Sequence, residues 1–286
     1  MQRRLIECVP NFSEGRNPET VNAIGQSIAS MPGVRVLRSE SDPDHNRSVI
    51  TFAGTPEAVR QAALRGIAEA VKRIDLTKHS GVHPRIGAAD VVPFVPLEGV
   101  TLDECAALAR DVGREVWETL HVPVYFYEAA AASPERAPLE KLRAGRLSPD
   151  LGGPALHPTA GACIIGARKI LIAFNIVLNT ADVAIAGAIA KKVRASSGGF
   201  RFVKALGLPL ASRNLAQVSM NLTDYEQTPL HTVFEAVAAE AHACGVEIVE
   251  SEIVGLVPAK ALDQAAAHFL KCRNFHPGLV IENALL

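Results

Sequence analysis

The chain has 286 residues, of which 48% are hydrophobic, and this length predicts two domains of similar size, each able to bury its own core. Its 29 basic and 30 acidic residues leave a net charge of −1, which argues against nucleic acid or an anionic membrane surface as a partner. The 5 cysteines stand singly, without a CxxC pair, and fit neither a disulfide framework nor a zinc ribbon.

The N-terminal half predicts alternating strands and helices. Pro18 and Pro56 each follow a polar capping residue and mark two helix starts, while Thr101 and Glu104 form a capping box before a third helix. The segment 91–95 is apolar but contains proline, so it is expected to be an edge strand. The polar residues 39–46 are expected to form a loop. The predicted strands are residues 5–12, 34–37, 47–53, 91–95 and 122–127.

The C-terminal half repeats this order. Asp182 and Pro229 precede two helices, and residues 253–257 lead to a last helix at 259–270. The predicted strands are residues 170–177, 200–206, 215–222 and 246–249. Each half thus has the order strand-helix-strand-strand-helix-strand, with one extra helix. This order predicts an α+β fold with two tandem ferredoxin-like (split βαβ) subdomains, each a mixed or antiparallel sheet with helices packed mainly on one face. Their expected extents are 1–178 and 179–286.

No segment has the pattern of a signal peptide or a membrane span. Charged and polar residues follow the N-terminus where a signal peptide would have its apolar region. The longest apolar stretch, 170–178, is interrupted by Asn175 and is too short to cross a bilayer. Together with the single cysteines, this predicts a cytoplasmic protein without a membrane partner.

A segment rich in Gly, Pro, Ala and Ser, residues 139–161, lies between the halves. Its end, 152–161, can form neither a regular helix nor a central strand. The composition favours a linker, although glycines that line an interdomain cleft would also let the backbone approach a ligand closely.

Residues 78–90 concentrate polar chemistry between two predicted elements. The segment holds two histidines, two cations and Asp90, with glycine and proline fixing its turns. A histidine in such a loop can transfer a proton near neutral pH, because its ordinary pKa is about 6.5. Asp90 could orient the ring or stabilise its protonated form. The segment is therefore a candidate for catalysis.

Two other interpretations of this segment remain open. His79 and His83 are four residues apart, the spacing of two zinc ligands on a helix, but Gly81 and Pro84 argue against a helix and no HExxH motif is present. Alternatively, the histidines only satisfy backbone groups of a loop.

Three further polar groups are candidates for ligand contacts. The acidic run with Glu40, Asp42 and Asp44 could hold a cationic reaction centre or form a solvated turn. The segment 9–16 at the end of the first strand could face a ligand, although Asx-turn chemistry explains its Asn and Ser equally well. Arg47, Arg168 and Lys169 are cations that could bind carboxylates or be surface charge. The sequence contains neither a Walker A motif nor a GxGxxG motif after a strand, so it lacks the usual signature of a nucleotide site.

Several long motifs in fixed order carry a family resemblance over nearly the whole chain. They are ECVPNFSEG at 7–15, NRSV at 46–49, HPRIGAADV at 83–91, VPVY at 122–125, GARKILIAFN at 166–175, NLAQVS at 214–219, LHTV at 230–233 and VGLVP at 254–258. With these motifs the chain resembles the formiminotransferase family, which includes the transferase part of formiminotransferase-cyclodeaminase.

The resemblance implies transfer of the formimino group from N-formimino-L-glutamate to N5 of tetrahydrofolate, giving 5-formiminotetrahydrofolate and L-glutamate in histidine degradation and one-carbon metabolism. It implies tetrahydrofolate as co-substrate, no metal, a homodimer and a separate cyclodeaminase as a partner. It also implies that His83 is the catalytic histidine. The implied folate loop consists of Gly152, Gly153, Pro154, Ala155, Leu156, His157, Pro158, Thr159, Ala160 and Gly161. The member with a fused cyclodeaminase has an aromatic residue in place of Ala160, so the contact to the pterin is expected to differ.

The expected mechanism is attack of N5 on the formimino carbon, with His83 taking the proton of the attacking amine and giving one to the leaving amine. Glu40, Asp42 or Asp44 would stabilise the cationic amidine, and Arg47, Arg168 or Lys169 would hold carboxylates of the donor or of folate. Other functions remain open: a formyl-donor folate transferase, an enzyme of 5-formyltetrahydrofolate metabolism, a non-catalytic folate-binding subunit, and a zinc hydrolase.

Overall fold

The computed structural model describes residues 3–43, 45–79, 85–144 and 147–284, and the chain divides into two units, Met1–Lys169 and Ile170–Leu286. Each unit has its own sheet and its own apolar core. The division lies earlier in the chain than the boundary predicted between 178 and 179, because the strand Ile172–Leu178 pairs within the second sheet.

In the described part of the first unit, seven strands form one sheet: β1 (Leu5–Cys8), β2 (Asn11–Phe12), β3 (Val34–Asp42), β4 (Arg47–Gly54), β5 (Ala89–Glu98), β6 (Val124–Glu128) and β7 (Cys163–Ala167). β1 and β2 follow one another along the same track and both pair with β4 and β5. From β3 to β5 the pairing is antiparallel in the split βαβ order. β7 and β6 then extend the sheet in parallel.

Helices cover mainly one face of this sheet. They are α1 (Pro18–Ala29), α2 (Pro56–Arg73), α3 (Leu102–Leu120) and the short α4 (Leu139–Arg143). Because strand side chains alternate between faces, Val92 and Phe94 of β5 belong to the main core under α1, α2 and α3. Val91 instead packs on the opposite face in a smaller core with Tyr125 and with Leu142 of α4.

Four features of the first unit differ from the sequence prediction. β5 is a central strand although it contains Pro93, because Pro93 lies level with the break between β1 and β2, where the ladder is already interrupted and the carbonyl of Pro93 accepts from Val9 N. The predicted loop from residue 39 is also shorter, because β3 continues through Asp42 as the exposed edge partner of β4. β7 and α4 were not predicted.

The second unit repeats the split βαβ arrangement. Its sheet contains β8 (Ile172–Leu178), β9 (Val203–Leu210), β10 (Leu215–Leu222) and β11 (Ile248–Val254) in the antiparallel order β11-β8-β10-β9. Alternate residues of β8 and β10 pack under its longer helices. The strand predicted at 246–249 is β11, which begins at Ile248 and continues through Val254. The helices are α5 (Val183–Val193), α6 (Leu230–Ala243), α7 (Ala259–Phe269) and α8 (Ile281–Ala284).

Four single turns of 3-10 helix complete the described elements. They are Leu76–Lys78, Ala195–Ser197, Ala211–Arg213 and Pro277–Leu279. The first ends at Lys78, where the histidine-bearing segment (residues 78–90) begins. Asp75 accepts a hydrogen bond from Thr77 N at 3.0 Å. This cap fixes the start of the single helical turn between α2 and the segment.

The predicted capping box at the start of α3 is confirmed, and it allows a stability prediction. Thr101 Oγ1 accepts from Glu104 N at 3.2 Å, while the Glu104 carboxylate accepts from Thr101 N at 2.8 Å. Thr101→Ala removes one of these bonds, so we expect urea denaturation to show a loss of about 1 kcal/mol in the free energy of unfolding. Thr119→Ala in the same helix, where the hydroxyl only bonds back to the Glu115 carbonyl, is the matched control and is expected to be neutral. An equal loss in both variants would contradict the role of the cap.

Candidate functional site

Three loops meet at one end of the first sheet because their strands are neighbours. Phe12 of β2 pairs with Ser48 of β4 and with Ala89 of β5. The residues after β2, before β4 and before β5 therefore lie side by side. These are residues 13–16, 42–47 and 79–90, and their described members are called the loop cluster below.

Backbone contacts hold the first two loops together. Gly15 N donates to Asn46 Oδ1 at 2.9 Å, and Asn46 is buried with a positive φ of 48°. A Cβ on Gly15 would lie 2.4 Å from the carbonyl oxygen of Asp42 and 2.6 Å from Arg47 N. Only glycine permits this approach without a shift of the backbone. The third loop is joined to the first through Ser13 Oγ, which donates to the Gly87 carbonyl at 2.7 Å.

Arg85 ties the third loop to the second. Its guanidinium donates to the carbonyls of Asn46 at 2.9 Å and His45 at 2.7 Å. Arg85 Nη1 also lies 2.7 Å from Nε2 of His79. Burial, and then the charge of Arg85, lower the pKa of His79. A guanidinium donates only, so His79 acts as a neutral acceptor in this position.

Asp90 is the buried carboxylate of the loop cluster. It is 1% exposed; Oδ1 accepts from Ile86 N at 2.8 Å, and Oδ2 pairs with Nη2 of Arg143 at 2.5 Å. Arg47 lies close to the same pair, since burial and then the charge of Arg143 lower its pKa while Asp90 raises it. Arg143 was not predicted from the sequence, because it lies in the stretch 139–161 that composition favours as a linker.

The predicted acidic candidates lie in different surroundings. Glu40 is on the exposed edge strand and forms an ion pair with Arg38 at 2.8 Å. Asp42 lies at the loop cluster and contacts His45, with Oδ2 2.6 Å from Nδ1. Asp44 and the predicted catalytic His83 lie outside the described residues. His79 and Arg85, which flank residues 80–84 in sequence, both belong to the loop cluster.

The end of the predicted folate loop joins the loop cluster. Ala160 accepts from Ala88 N at 2.9 Å, Thr159 accepts from Leu76 N at 2.8 Å, and Ala162 N donates to Ile86 at 2.8 Å, all through backbone groups. Within the loop, His157 and Gly161 exchange two backbone hydrogen bonds. Nδ1 of His157 also accepts from Ala160 N at 3.0 Å. The predicted folate loop, residues 152–161, is called the glycine-rich loop below. It is thus hydrogen-bonded to the histidine-bearing segment, whereas its composition had favoured a linker.

A pocket lies beside this loop on the face of the sheet opposite α1, α2 and α3. Its volume is about 260 Å³. Two of its lining residues, Pro154 and Leu156, come from the glycine-rich loop, and the others are Ile86, Tyr125, Leu142, Leu147, Ser148 and Pro149. The hydroxyl of Tyr125 donates to the Leu147 carbonyl at 3.0 Å. The exposed lining of the pocket is nearly half polar, so the pocket offers a ligand both apolar contact and hydrogen-bonding groups.

Arg168 and Lys169 lie apart from the loop cluster. β5 and β7 are parallel, with Val91 opposite Ile164, so Arg168 is about five strand residues, or roughly 16 Å, from the level of Asp90. Arg168 neighbours Tyr127 and Glu7 instead. Burial raises the pKa of the Glu7 carboxyl, and the charge of Arg168 opposes this in part. The pKa of the Tyr127 hydroxyl is raised for the same reason.

The raised pKa of Glu7 predicts a pH-dependent stability. Because the folded-state pKa lies above the ordinary value of 4.5, the wild type loses stability as the pH rises upward from about 4.5 through the folded-state pKa. Glu7→Gln cannot ionise, so its free energy of unfolding is expected to increase relative to wild type over that range, by at most about 1.4 kcal/mol per pH unit. Urea denaturation from pH 4 to pH 8 measures this difference.

The control for this prediction is Glu98→Gln, which removes an exposed carboxylate from β5, a neighbouring strand of the same sheet. It is expected to change the free energy of unfolding by less than about 0.5 kcal/mol. A Glu7→Gln protein that becomes less stable than wild type as the pH rises would show that the attraction of the Arg168 charge outweighs the cost of burying the carboxylate.

The described parts of both units hold neither a metal-binding cluster nor a membrane-spanning helix. Among these residues, no group of three or more His, Cys, Asp or Glu side chains could hold a metal ion. No described helix has the length and apolar character needed to cross a bilayer.

Known proteins resemble the chain along its whole length. A family model for the "Formiminotransferase domain, N-terminal subdomain" matches residues 5–168, and one for the "Formiminotransferase domain" matches residues 173–283. The glutamate formimidoyltransferase of Thermoplasma acidophilum is 46% identical, with 98% of this chain and 97% of that protein covered. The one of Streptococcus pyogenes serotype M1 is 40% identical, with 99% of each covered. The formimidoyltransferase-cyclodeaminase of Sus scrofa is 45% identical, over 95% of this chain and 53% of that protein.

Proposed function

Since the chain belongs to the formiminotransferase family, we propose that it transfers the formimino group of N-formimino-L-glutamate to N5 of tetrahydrofolate, giving 5-formiminotetrahydrofolate and L-glutamate. The observation that carries this proposal is the 46% and 40% identity to two glutamate formimidoyltransferases over nearly their full lengths. The loop cluster and the adjoining glycine-rich loop support it, because they bring polar and apolar surfaces together at one end of the first sheet.

In the proposed reaction, His83 transfers the proton. The lone pair of N5 attacks the formimino carbon, whose C=N bond becomes single in a tetrahedral intermediate. His83 accepts the N5 proton and returns one to the glutamate nitrogen, after which the bond from carbon to that nitrogen breaks and the C=N bond re-forms. One imidazole can serve both amines because its pKa lies near the working pH. His79 and Arg85, which precede and follow His83 in the chain, both belong to the loop cluster, and this supports the proposed role.

Charged side chains would hold the two substrates. An amidine is cationic when protonated, so a carboxylate stabilises it better than hydrogen-bond donors do. Asp42 is the described acidic candidate at the loop cluster, and Asp44 follows closely in sequence. Arg47 would bind a carboxylate of the donor, since it is the predicted cation beside Asp90. Arg168 and Lys169 would be available only to a distant group, such as the glutamate tail of folate.

The glycine-rich loop would bind tetrahydrofolate as co-substrate, without a metal. The pocket beside Pro154 and Leu156 supports this, because its volume of about 260 Å³ and its mixed polar and apolar lining offer contacts to an aromatic ring of the folate. We further propose that the protein is a cytoplasmic homodimer and that its product is consumed by a cyclodeaminase.

A donor panel with purified protein tests the proposal. With N-formimino-L-glutamate and tetrahydrofolate, we expect L-glutamate and 5-formiminotetrahydrofolate to appear in equal amounts by mass spectrometry. Product from N-formyl-L-glutamate or turnover of 5-formyltetrahydrofolate, without formimino transfer, would instead indicate a formyl-group enzyme. Binding of tetrahydrofolate without release of glutamate would indicate a folate-binding subunit. Stoichiometric zinc in the purified protein would support a zinc hydrolase.

A further inference from the structure

Asp90 uses its two oxygens to join two different parts of the first unit. Oδ1 accepts from Ile86 N at 2.8 Å, on the return leg of the histidine-bearing segment, and Oδ2 pairs with Arg143 on α4. At 1% exposure, this carboxylate depends on both partners, because a buried charge that loses its partner is strongly destabilising.

α4 is unable to fix its own position. It has five residues, no side-chain cap at its N-terminus, and Leu142 as its one buried residue among those described. A helix this short is not stable by itself in water. Its place on the sheet therefore depends on the burial of Leu142 and on the pairing of Arg143 with Asp90.

Residues next to both partners of this ion pair line the pocket. Leu142, next to Arg143, and Ile86, whose N–H is held by Asp90, both line it, and Pro154 and Leu156 form another part of its wall. A ring that enters the pocket therefore contacts α4, the glycine-rich loop and the base of the histidine-bearing segment at once.

We propose that Arg143 is a positioning residue that couples occupancy of this pocket to the placement of residues 85–90, which follow the proposed catalytic histidine in the chain, with Asp90 as the link. This inference rests on the proposed function, because it takes the aromatic part of tetrahydrofolate as the occupant of the pocket. Arg143 does not touch the reacting atoms. Its effect passes from α4 through Asp90 to Ile86 N.

The kinetic test compares Arg143→Met and Arg143→Lys with a control arginine. Arg143→Met is expected to lower kcat by about 10–100-fold, because residues 85–90, next to the proposed catalytic histidine in the chain, lose their link to α4. Arg143→Lys restores a cation for Asp90 and is expected to recover a large part of kcat. Arg110→Met is the control, since Arg110 is also partly buried and donates to the carbonyls of Ala129 and Ala130; it is expected to lower stability while leaving kcat within about twofold of wild type.

Hydrogen exchange provides a second measurement that needs no turnover. In wild type, tetrahydrofolate is expected to slow amide exchange in both 139–144 and 85–90. In Arg143→Met the protection of 85–90 is expected to be lost, while any remaining binding still protects the glycine-rich loop.

The possible outcomes separate this inference from the proposed function. Unchanged kcat in Arg143→Met, retained protection of 85–90 in that variant, or no protection of either segment in wild type would overturn the coupling. Coupled protection in a wild-type protein that transfers no formimino group would overturn the proposed function and leave the coupling standing.

Discussion

Replacing His83 with alanine is expected to lower kcat for formimino transfer by about 10²–10⁴-fold, the usual contribution of a positioned general acid–base. Two nitrogens change protonation in the proposed reaction, N5 of folate and the nitrogen of the departing glutamate, and without an imidazole each proton must move through water. Initial rates at saturating concentrations of both substrates measure this effect. Tetrahydrofolate binding by calorimetry shows in the same variant whether the site is still assembled.

Two histidine variants serve as controls for this result. His242→Ala removes an exposed histidine from α6 in the second unit, and it is expected to keep wild-type kcat. His79→Gln keeps an acceptor for Arg85, which lies 2.7 Å from the ring nitrogen, and is expected to retain most of kcat because His79 acts as a neutral acceptor. Near-normal kcat in His83→Ala would refute the general-base role, while a raised KM with normal kcat would make His83 a binding residue.

The elements that the sequence predicted well are those with local signals. The capped helices α1, α2 and α3 begin where a polar residue and proline, or a capping box, place them. The alternating strand β10 has the bounds predicted for it. These features depend on contacts between residues that are near in sequence, so periodicity and capping chemistry suffice to find them.

The features that were missed depend on contacts between residues far apart in sequence. β7 is buried at all five positions, so it has no alternation, and its glycine and alanine resemble the glycine-rich stretch before it. β5 contains prolines that suggest an edge, and only the break between β1 and β2 makes its central position possible. Nothing near Arg143 in sequence indicates its partner, since Asp90 lies in the loop before β5.

For the candidate site, the sequence predicts which loops come together but not what each side chain contacts there. The split βαβ order alone brings the ends of β2 and β3 beside the starts of β4 and β5, so the described residues of the motifs at 9–16, 40–47 and 78–90 lie together as a consequence of the topology. The part each side chain plays there is set by tertiary contacts. The Arg85 guanidinium donates to loop carbonyls, and Glu40 forms an ion pair with Arg38 on the exposed edge strand. Residue type and spacing do not contain that information.

The second large effect is expected from Gly161→Ala. Gly161 has a φ of +69°, and a Cβ there would lie 2.1 Å from the carbonyl oxygen of Ile86. Gly161 also forms the bridge with Gly87 that joins the glycine-rich loop to the histidine-bearing segment. The substitution must separate these two backbones, so we expect a loss of about 2–4 kcal/mol in the free energy of unfolding. The affinity for tetrahydrofolate is expected to fall at least about tenfold, equivalent to about 1.4 kcal/mol.

Gly153→Ala is the matched control, because it makes the same substitution in the same loop, at a φ of +73°, with no atom within 4 Å of the new Cβ. It carries the strain of the left-handed backbone without the overlap and is expected to cost about 1 kcal/mol. The difference between the two variants therefore isolates the contact between the loops. If Gly161→Ala weakened tetrahydrofolate binding no more than Gly153→Ala, the junction with the histidine-bearing segment would play no part in binding folate. If only Gly161→Ala lowered both affinity and kcat, the junction would serve the binding loop and the proton-transferring segment together.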